Sequence, residues 1–230
     1  MNRSEQFIEF AVQTGVLSFG EFTTKGGRKS PYFFNAGRFD HGSALRGLAA
    51  FYAQTILEHR RTGRLRFDML FGPAYKGIAL VAATAMALSE AGLDVPYAYN
   101  RKEAKDHGEG GATVGAPLAG RVLIIDDVIT DGAAKRESVA LIRAHGAEPA
   151  GVVIMLDRME RTGPDDSLSA DSAVQAFERE TSTPVIAIAC VEDLLAYLRS
   201  TRHEVRGLDE RLAAVESYRM RYGAAPGHGA

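Results

Sequence analysis

Cysteine, net charge and long apolar runs are all scarce in this chain. Its one cysteine, Cys190, excludes a disulfide framework and a cysteine-rich zinc site. A net charge of -2, from 27 basic and 29 acidic residues, leaves no global field that would draw the chain to nucleic acid or to an anionic membrane. The most apolar stretch, residues 77–88, is too short to cross a bilayer, and residues 1–10 lack the hydrophobic segment of a secretory signal. We therefore expect a cytoplasmic protein with neither nucleic acid nor a membrane as partner.

The rest of the composition is that of an ordinary globular protein, with 46% hydrophobic and 24% charged residues in 230. Short apolar runs without polar alternation are separated by longer amphipathic stretches, which predicts buried parallel strands joined by helices. The predicted strands are residues 68–72, 95–99, 122–126, 151–156 and 185–189. The predicted helices between them are residues 76–91, 133–145 and 170–181. This order predicts an α/β fold with an open parallel sheet flanked by helices.

Further elements are predicted on both sides of this core. Ser4 is the expected N-cap of a helix over residues 4–14, because its hydroxyl can accept from the first turn. The other flanking predictions are two short strands within residues 17–34, helices over 43–60, 191–200 and 208–222, and fraying of residues 223–230. Residues 101–115 are charged, rich in glycine and without apolar periodicity, which predicts a long structureless loop, and such loops are usually either disordered or functional.

The sharpest motif follows the predicted strand 122–126. Asp126 and Asp127 stand at the end of that strand, and a short turn with Thr130 and Gly132 leads into the next helix. Backbone N–H groups at such a turn, with the helix dipole, form an anion site. The two carboxylates could accept hydrogen bonds from sugar hydroxyls. The plainer interpretation is that both are acids favoured by a helix N-terminus. The turn has neither a Walker A lysine nor a GxGxxG pattern, so ATP hydrolysis and NAD chemistry are disfavoured.

Two more segments indicate phosphate binding. Lys76 lies in the first turn of a predicted helix, after a glycine-containing turn, where a lysine is unfavourable unless an anion lies nearby. Arg101, Lys102, Lys105 and His107 lie close together in the 101–115 segment. Mixed charge usually means a solvated loop, but these groups could also fold over a polyanion such as pyrophosphate and exclude water from it.

Taken together, these residues resemble a known family. Residues 122–132 are similar to the PRPP-binding loop of type I phosphoribosyltransferases. The segments Gly27-Arg28-Lys29-Ser30-Pro31-Tyr32-Phe33-Phe34-Asn35, residues 100–111 and Leu156-Asp157-Arg158 resemble orotate phosphoribosyltransferases in particular. The resemblance spans residues 6–223. It implies one phosphoribosyltransferase domain over 1–222, with a core of about 43–190 and a small hood formed by about 1–40 and C-terminal parts.

The resemblance also implies a reaction and its residues. Orotate and PRPP would give orotidine 5′-monophosphate and pyrophosphate, in de novo pyrimidine biosynthesis. Lys105, His107, Asp126 and Asp127 would be catalytic, and Phe33, Phe34 and Arg158 would bind orotate, together with Lys25 and Thr130. The PRPP-binding set is Lys25, Tyr75, Lys76, Arg101, Lys102, Lys105, His107, Asp126, Asp127, Val128, Ile129, Thr130, Asp131, Gly132, Ala133 and Ala134.

Metal and partners follow from the same resemblance. The reaction would use Mg²⁺ that arrives on PRPP, with no direct protein cage, because Mg²⁺ takes oxygen ligands and keeps several waters. The partner would be a second copy of the chain, in a homodimer whose 101–115 loops reach the other subunit's site.

Asp131 and Ala133 depart from the family pattern of a small residue before Gly132 and a hydroxyl residue after it. We expect weaker PRPP binding as a result, because an acid beside a phosphate is repulsive and a hydroxyl donor is lost.

Three other functions compete with the one that this resemblance implies. A phosphoribosyltransferase for another base, such as uracil or a purine, would not need the cationic Arg158. A PRPP-binding regulator of nucleic acid would need a basic surface or an added DNA-binding module, and the sequence has neither. A nucleotide-binding module without chemistry would leave residues 101–111 unexplained.

Overall fold

In this computed structural model the chain forms two compact units. The structure describes residues 2–24, 26–105, 111–130, 132–201 and 207–225, and at 103–105 and 111 it describes the backbone alone. One unit consists of the described parts of Met1–Asp40, Leu156–Ala176 and Ala189–Ala230. The other consists of the described parts of His41–Met155 together with Phe177–Ile188. Among these residues, no helix is both long enough and apolar enough to span a membrane.

The described residues form helices and strands in the order that the hydrophobic pattern predicts. The helices are α1 Arg3–Gln13, α2 Gly42–Arg61, α3 Lys76–Glu90, α4 Ala133–Ala144, α5 Ala173–Thr181, α6 Val191–Thr201 and α7 Leu208–Tyr222, with a 3₁₀ turn at Ala36–Arg38. The strands are β1 Leu17–Thr23, β2 Lys29–Phe34, β3 Met69–Gly72, β4 Tyr97–Lys105, β5 Gly111–Gly115, β6 Arg121–Ile125, β7 Glu148–Asp157 and β8 Val185–Cys190.

The larger unit is built on a six-stranded sheet in the order β5-β4-β3-β6-β7-β8. β3 pairs in parallel with β4 and with β6, and β6 pairs in parallel with β7, whereas the edge strand β5 is antiparallel to β4. The central strands are buried over most of their length, as expected for strands covered by helices on both faces. Their residues without solvent exposure include Leu70, Phe71, Leu123, Ile124, Val152 and Val153. The predicted open, mainly parallel α/β fold is confirmed.

The hairpin β4–β5 corrects the prediction of a long structureless loop. Residues 101–105 continue β4, and residues 111–115 form its antiparallel partner, with Asn100 opposite Thr113 and Lys105 opposite Gly111. Residues 106–110 lie outside the described part of the chain. Within the described residues, β4 beyond Tyr99 pairs with the edge strand β5 and not with the buried strand β3. Its side chains therefore need not alternate between apolar and polar. The absence of apolar periodicity in residues 101–115 therefore does not exclude strands there.

The smaller unit holds the β1–β2 hairpin and helices α1, α6 and α7. Phe7 and Ile8 of α1, Leu194 of α6 and Val215 of α7 are fully buried in its core. The predicted N-cap Ser4 is wrong, since α1 begins one residue earlier. Asn2 caps the helix instead, in a capping box: its side chain accepts from the Glu5 N–H at 2.8 Å, and its own N–H donates to Glu5 Oε2 at 3.2 Å.

The C-terminal end also differs from the prediction. Gly223 forms an isolated bridge with Glu160, the Ala224 N–H donates to the Met159 carbonyl at 2.9 Å, and the Ala225 carbonyl accepts from Gln175. Residues 223–225 are therefore held by hydrogen bonds rather than frayed, because the turn after β7 offers them backbone partners. Residues 226–230 lie outside the described part of the chain.

Candidate active site

Two buried acids stand at the carboxyl end of β6, the edge at which open α/β sheets bind ligands. Asp126 and Asp127 follow Ile125 and are 5% and 8% exposed. The described chain continues through residues 128–130, and α4 begins at Ala133 with Gly132 as its left-handed N-cap at φ 71°. At this positive φ an L side chain is strained, so the position favours glycine. The positive end of the α4 dipole thus begins six residues after Asp127.

Two lysines neutralise this acid pair. Lys135, in the first turn of α4, places its Nζ 2.5 Å from Asp126 Oδ2 and 3.8 Å from Asp127 Oδ1. Lys76, the first residue of α3, places its Nζ 2.7 Å from Asp127 Oδ2. The two lysines differ in access, because the side chain of Lys76 is 60% exposed and that of Lys135 is 9% exposed. The sequence indicated an anion near Lys76, and the structure supplies one from the chain itself.

The two carboxylates have different proton affinities. Burial raises the pKa of Asp126, the neighbouring charge of Asp127 raises it further, and Lys135 opposes both. Burial also acts to raise the pKa of Asp127, but the hydrogen bond from Lys76 and the charge of Lys135 outweigh it, so its pKa lies below the usual value. Asp127 is therefore firmly ionised, whereas Asp126 depends on its lysine for its charge.

Hydrogen bonds fix the backbone around the pair. The buried Tyr52 of α2 donates its hydroxyl to the Asp126 carbonyl at 2.6 Å. The Asp127 N–H donates to Asp126 Oδ1 at 2.9 Å, and the Val128 N–H donates to Asp127 Oδ1 at 2.8 Å. Burial raises the pKa of Tyr52, so its hydroxyl keeps its proton and remains a donor. These bonds orient the carboxylates before any ligand binds.

The turn after the acids combines a buried anchor with exposed positions. Ile129 is 8% exposed and anchors the turn, whereas Thr130 and Ala133 are exposed and Val128 and Ala134 are half-buried. Asp131 lies outside the described residues. The arrangement is that of a short backbone cradle at a helix N-terminus, which is suited to a phosphate group.

A second turn joins β3 to α3 beside Lys76. Gly72 and Gly77 approach so closely that a Cβ on Gly72 would lie against the Gly77 carbonyl oxygen. The Ala74 N–H donates to Asn100 Oδ1 of β4 at 2.7 Å, which ties this turn to the neighbouring strand. Tyr75 is exposed at the start of α3. The sequence-predicted residues Tyr75 and Lys76 therefore lie in one turn, and Lys76 lies against Asp127.

Of the predicted orotate-binding residues, Phe33, Phe34 and Arg158 lie in the smaller unit, whereas Thr130 lies in the larger one. Arg158, just after β7, packs over the ring of Tyr32 at 5.0 Å and donates to Ser30 Oγ at 3.1 Å. Its Nη2 also lies 2.6 Å from Glu160 Oε1. Burial acts to lower the pKa of Arg158, but Tyr32 and Glu160 beside it raise the pKa above its usual value. Arg158 is thus a fixed, permanently charged guanidinium with one carboxylate already bound to it.

Phe33 and Phe34 extend the same strand. Ser30, Tyr32 and Phe34 alternate as the buried face of β2, and Arg158 lies against two of them. Phe33 points to the opposite face, is 42% exposed and stacks on Phe22 with ring centroids 5.4 Å apart. The structure thus brings Arg158 onto the strand that carries both phenylalanines.

Several predicted residues fall at or beyond the edge of the described chain. Lys25 and His107, like Asp131, lie outside it, and Lys105 is described by its backbone alone, at the end of β4. Arg101 is half-buried and Lys102 exposed on the same strand. The roles of these residues stay predictions.

Sequence reasoning missed three residues of these clusters, namely Lys135, Tyr52 and Glu160. Lys135 had a readable signal, because it is a lysine in the first turn of a helix, the same mismatch that singled out Lys76. Tyr52 had none, since it lies 74 positions before the carbonyl that it contacts. Glu160 stands two residues after Arg158, but nothing in the local pattern indicates that the two side chains meet.

Comparison with known proteins agrees with this geometry. Residues 39–185 match the phosphoribosyl transferase domain family. The chain is 58% identical over 220 residues to an orotate phosphoribosyltransferase of Cupriavidus metallidurans, covering 96% of this chain and 95% of that protein. It is also 58% identical over 226 residues to one of Herminiimonas arsenicoxydans, covering 96% and 98%. A crystal structure of orotate phosphoribosyltransferase from Francisella tularensis superposes with a TM-score of 0.80 at 41% identity, over 95% of this chain and 100% of that one. A pair of lysine-bound acids before the turn into a helix, in a chain this similar to those enzymes over nearly its whole length, identifies it as a member of the orotate phosphoribosyltransferase family.

Proposed function

We propose that this chain transfers the 5-phosphoribosyl group of PRPP to orotate, giving orotidine 5′-monophosphate and pyrophosphate in pyrimidine biosynthesis. The observation that carries the proposal is the buried Asp126–Asp127 pair directly before a phosphate-binding turn, in a chain 58% identical to orotate phosphoribosyltransferases. The roles of individual residues below are part of the proposal.

The larger unit supplies the groups that hold PRPP. Asp126 and Asp127 accept hydrogen bonds from the ribose hydroxyls, since both are oriented carboxylates with lysine counterions. The turn over 128–134 holds the 5′-phosphate by its backbone and by the α4 dipole. Lys76 meets the pyrophosphate side together with Tyr75 and Lys25. Because Lys76 is exposed, it can exchange Asp127 for a phosphate oxygen at little cost.

The β4–β5 hairpin supplies cations for the leaving group. Displacement of pyrophosphate develops positive charge on the ribose ring and negative charge on the departing oxygens. Arg101, Lys102, Lys105 and His107 stabilise that negative charge, most strongly when water is excluded. Lys105 is expected to contribute most, because it can approach the leaving group only when its segment closes.

The smaller unit recognises the base. Arg158 binds the orotate carboxylate through its planar fork, which a lysine could not reproduce. The backbones of Phe33 and Phe34 contact the pyrimidine ring, with Lys25 as a further contact, whereas the role of Thr130 stays a prediction from the family resemblance. The positively charged Arg158 favours an anionic base such as orotate. Uracil and the purines lack that carboxylate, so they are expected to be poor acceptors.

Mg²⁺ fits this site as an ion carried by PRPP. Within the described residues, no group of three or more His, Cys, Asp or Glu could hold a metal ion, and both site carboxylates already have lysine partners. The oxygens of the substrate itself are the hard ligands that Mg²⁺ prefers. When bound, the ion offsets negative charge on the leaving pyrophosphate. We assign no residue of this chain as its ligand.

A homodimer in a cytoplasmic setting completes the proposal. Between Lys76 and Glu90, helix α3 has no charged residue, and its outward positions are Ile78, Ala79, Ala82, Ala83, Met86 and Ala87. Met86 is 67% exposed, although an apolar face of this kind is usually covered by a partner. We place the second copy on this face, and the family resemblance implies that the 101–115 segment is shared across the two subunits. Cytoplasmic location stays a prediction from the sequence.

The test is the loss of orotate absorbance with protein, PRPP and Mg²⁺, for the wild type, Lys105→Ala and the control Lys29→Ala. Lys29 is an exposed lysine paired with Glu21 and outside the proposed site. We expect consumption that requires every component, a loss of roughly 100-fold or more in Lys105→Ala, and no change in the control. Bound PRPP without orotate consumption would contradict the proposal and favour another base or a PRPP-binding regulator. Uracil and a purine base in place of orotate separate those two outcomes.

A further inference from the structure

Lys135 carries a buried charge, and the function proposed above gives this residue no role. Its side chain is 9% exposed, and its Nζ lies 2.5 Å from Asp126 Oδ2 and 3.8 Å from Asp127 Oδ1. It lies on α4, three residues after Gly132, so the helix that begins the phosphate turn also carries the counterion of the acid pair.

The position of Lys135 is unfavourable on two counts. A lysine in the first turn of a helix opposes the dipole, and burial removes its ammonium from water. A buried ion pair seldom repays that desolvation as net stability. Lys135 therefore needs an explanation other than folding, and its two contacts are both with the acids that the proposed reaction uses.

The acid pair needs a buried counterion of its own. Two adjacent carboxylates in a site of low exposure repel each other, and each favours taking up a proton over remaining charged. Lys76 contacts only Asp127 in the described ion pairs, and its exposed side chain is available to a phosphate oxygen of PRPP. Once Lys76 turns to the substrate, Lys135 is left to balance both acids. Tyr52 cannot do so, because its neutral hydroxyl donates to the Asp126 backbone carbonyl.

We propose that Lys135 is a positioning residue for PRPP, which holds Asp126 and, through it, Asp127 in the charged orientation that the ribose hydroxyls require. This inference rests on the proposed function and adds a residue to it. Lys135 touches the acids rather than the substrate, so its removal should weaken PRPP binding more than it slows the chemical step.

The test compares Lys135→Met, Lys135→Arg and the control Arg143→Met, which removes a cation from the last turn of the same helix. For Lys135→Met we expect the KM for PRPP to rise about 10-fold or more, with kcat changed less than about threefold, because a charged hydrogen bond is lost from the binding groups. Lys135→Arg should stay within about threefold of the wild type in KM. Arg143→Met should match the wild type. A KM for PRPP within about twofold of the wild type in Lys135→Met would overturn the proposal.

A second comparison remains decisive if Lys135→Met does not fold. Asp126→Asn and the double variant Asp126→Asn with Lys135→Met are compared by calorimetric PRPP binding without orotate. Once Asp126 is neutral, loss of Lys135 should weaken PRPP binding by less than about threefold. A further loss of about 10-fold would overturn the proposal, because Lys135 would then act without Asp126. Calorimetry needs no turnover, so this result is independent of whether the wild type consumes orotate.

Discussion

The two charge clusters of this chain are opposite in sign. In the larger unit, Asp126 and Asp127 are the proposed binding groups for PRPP, and lysines are their counterions. In the smaller unit, Arg158 is the proposed binding group for orotate, and Glu160 is its counterion. A buried carboxylate can lose its charge by taking up a proton, whereas an arginine stays charged at any ordinary pH. A counterion should therefore support binding in the acid cluster and compete with binding in the arginine cluster.

The acid cluster gives the largest expected effect. Asp127→Asn keeps the shape of the side chain but removes its charge and its pairing with Lys76, so we expect kcat/KM for PRPP to fall about 100-fold. Steady-state kinetics at saturating orotate measures this. Asp68→Asn, which removes an exposed carboxylate bonded to Arg121, is the matched control and should change little. A loss smaller than about tenfold in Asp127→Asn would argue against a role in ribose binding.

The arginine cluster gives the next effect. Arg158→Lys keeps the charge but loses the planar fork and the stacking on Tyr32, so the KM for orotate should rise about 30-fold. The KM for PRPP should stay close to that of the wild type. Arg199→Lys, at an exposed pair with Glu216, is the control for the same chemical change. An unchanged KM for orotate would place the base carboxylate elsewhere.

Removal of the counterion of Arg158 tests the comparison directly. Glu160→Gln frees the guanidinium from a competing carboxylate, so we expect the KM for orotate to fall about threefold. Lys135→Met, by contrast, should raise the KM for PRPP. If Glu160→Gln instead raises the KM for orotate, Glu160 orients Arg158. The counterion would then support substrate binding in both clusters.

An equally small effect is expected at the phosphate turn. Asp131→Ala combined with Ala133→Thr removes an acid beside a phosphate and restores a hydroxyl donor, so the KM for PRPP should fall about threefold. The KM for orotate serves as the internal control and should not move. An unchanged KM for PRPP would mean that Asp131 and Ala133 do not weaken phosphate binding.

Local sequence predicted the features that are contiguous in the chain. The strand ending at Asp126, the turn and α4 could be predicted because apolar burial, paired acids and a glycine follow one another over eleven residues, 122–132. The same reasoning found Lys76, because the dipole penalises a lysine at that position.

The features that were missed or wrongly predicted include contacts between residues on different elements. The hydrogen bond from Tyr52 to Asp126 joins α2 to the end of β6, and no local pattern encodes such a pairing. The partner of Arg158 was predicted as orotate alone, whereas the chain supplies Glu160. The capping of α1 by Asn2 rather than Ser4 was a choice between two competent caps two residues apart.

The β4–β5 hairpin has a consequence for the timescale of opening. Only residues 97–99 of β4 pair with β3, and from Asn100 onward the backbone partner of β4 is β5 alone. Opening of the distal hairpin therefore breaks one ladder of hydrogen bonds and exposes none of the buried side chains of β6 or β7. Amide hydrogen exchange should then divide β4 at Tyr99, with slow exchange before it and fast exchange after it. The strand end that carries Arg101 and Lys102, two of the cations proposed for the leaving group, can thus open many times during the lifetime of a single folded sheet.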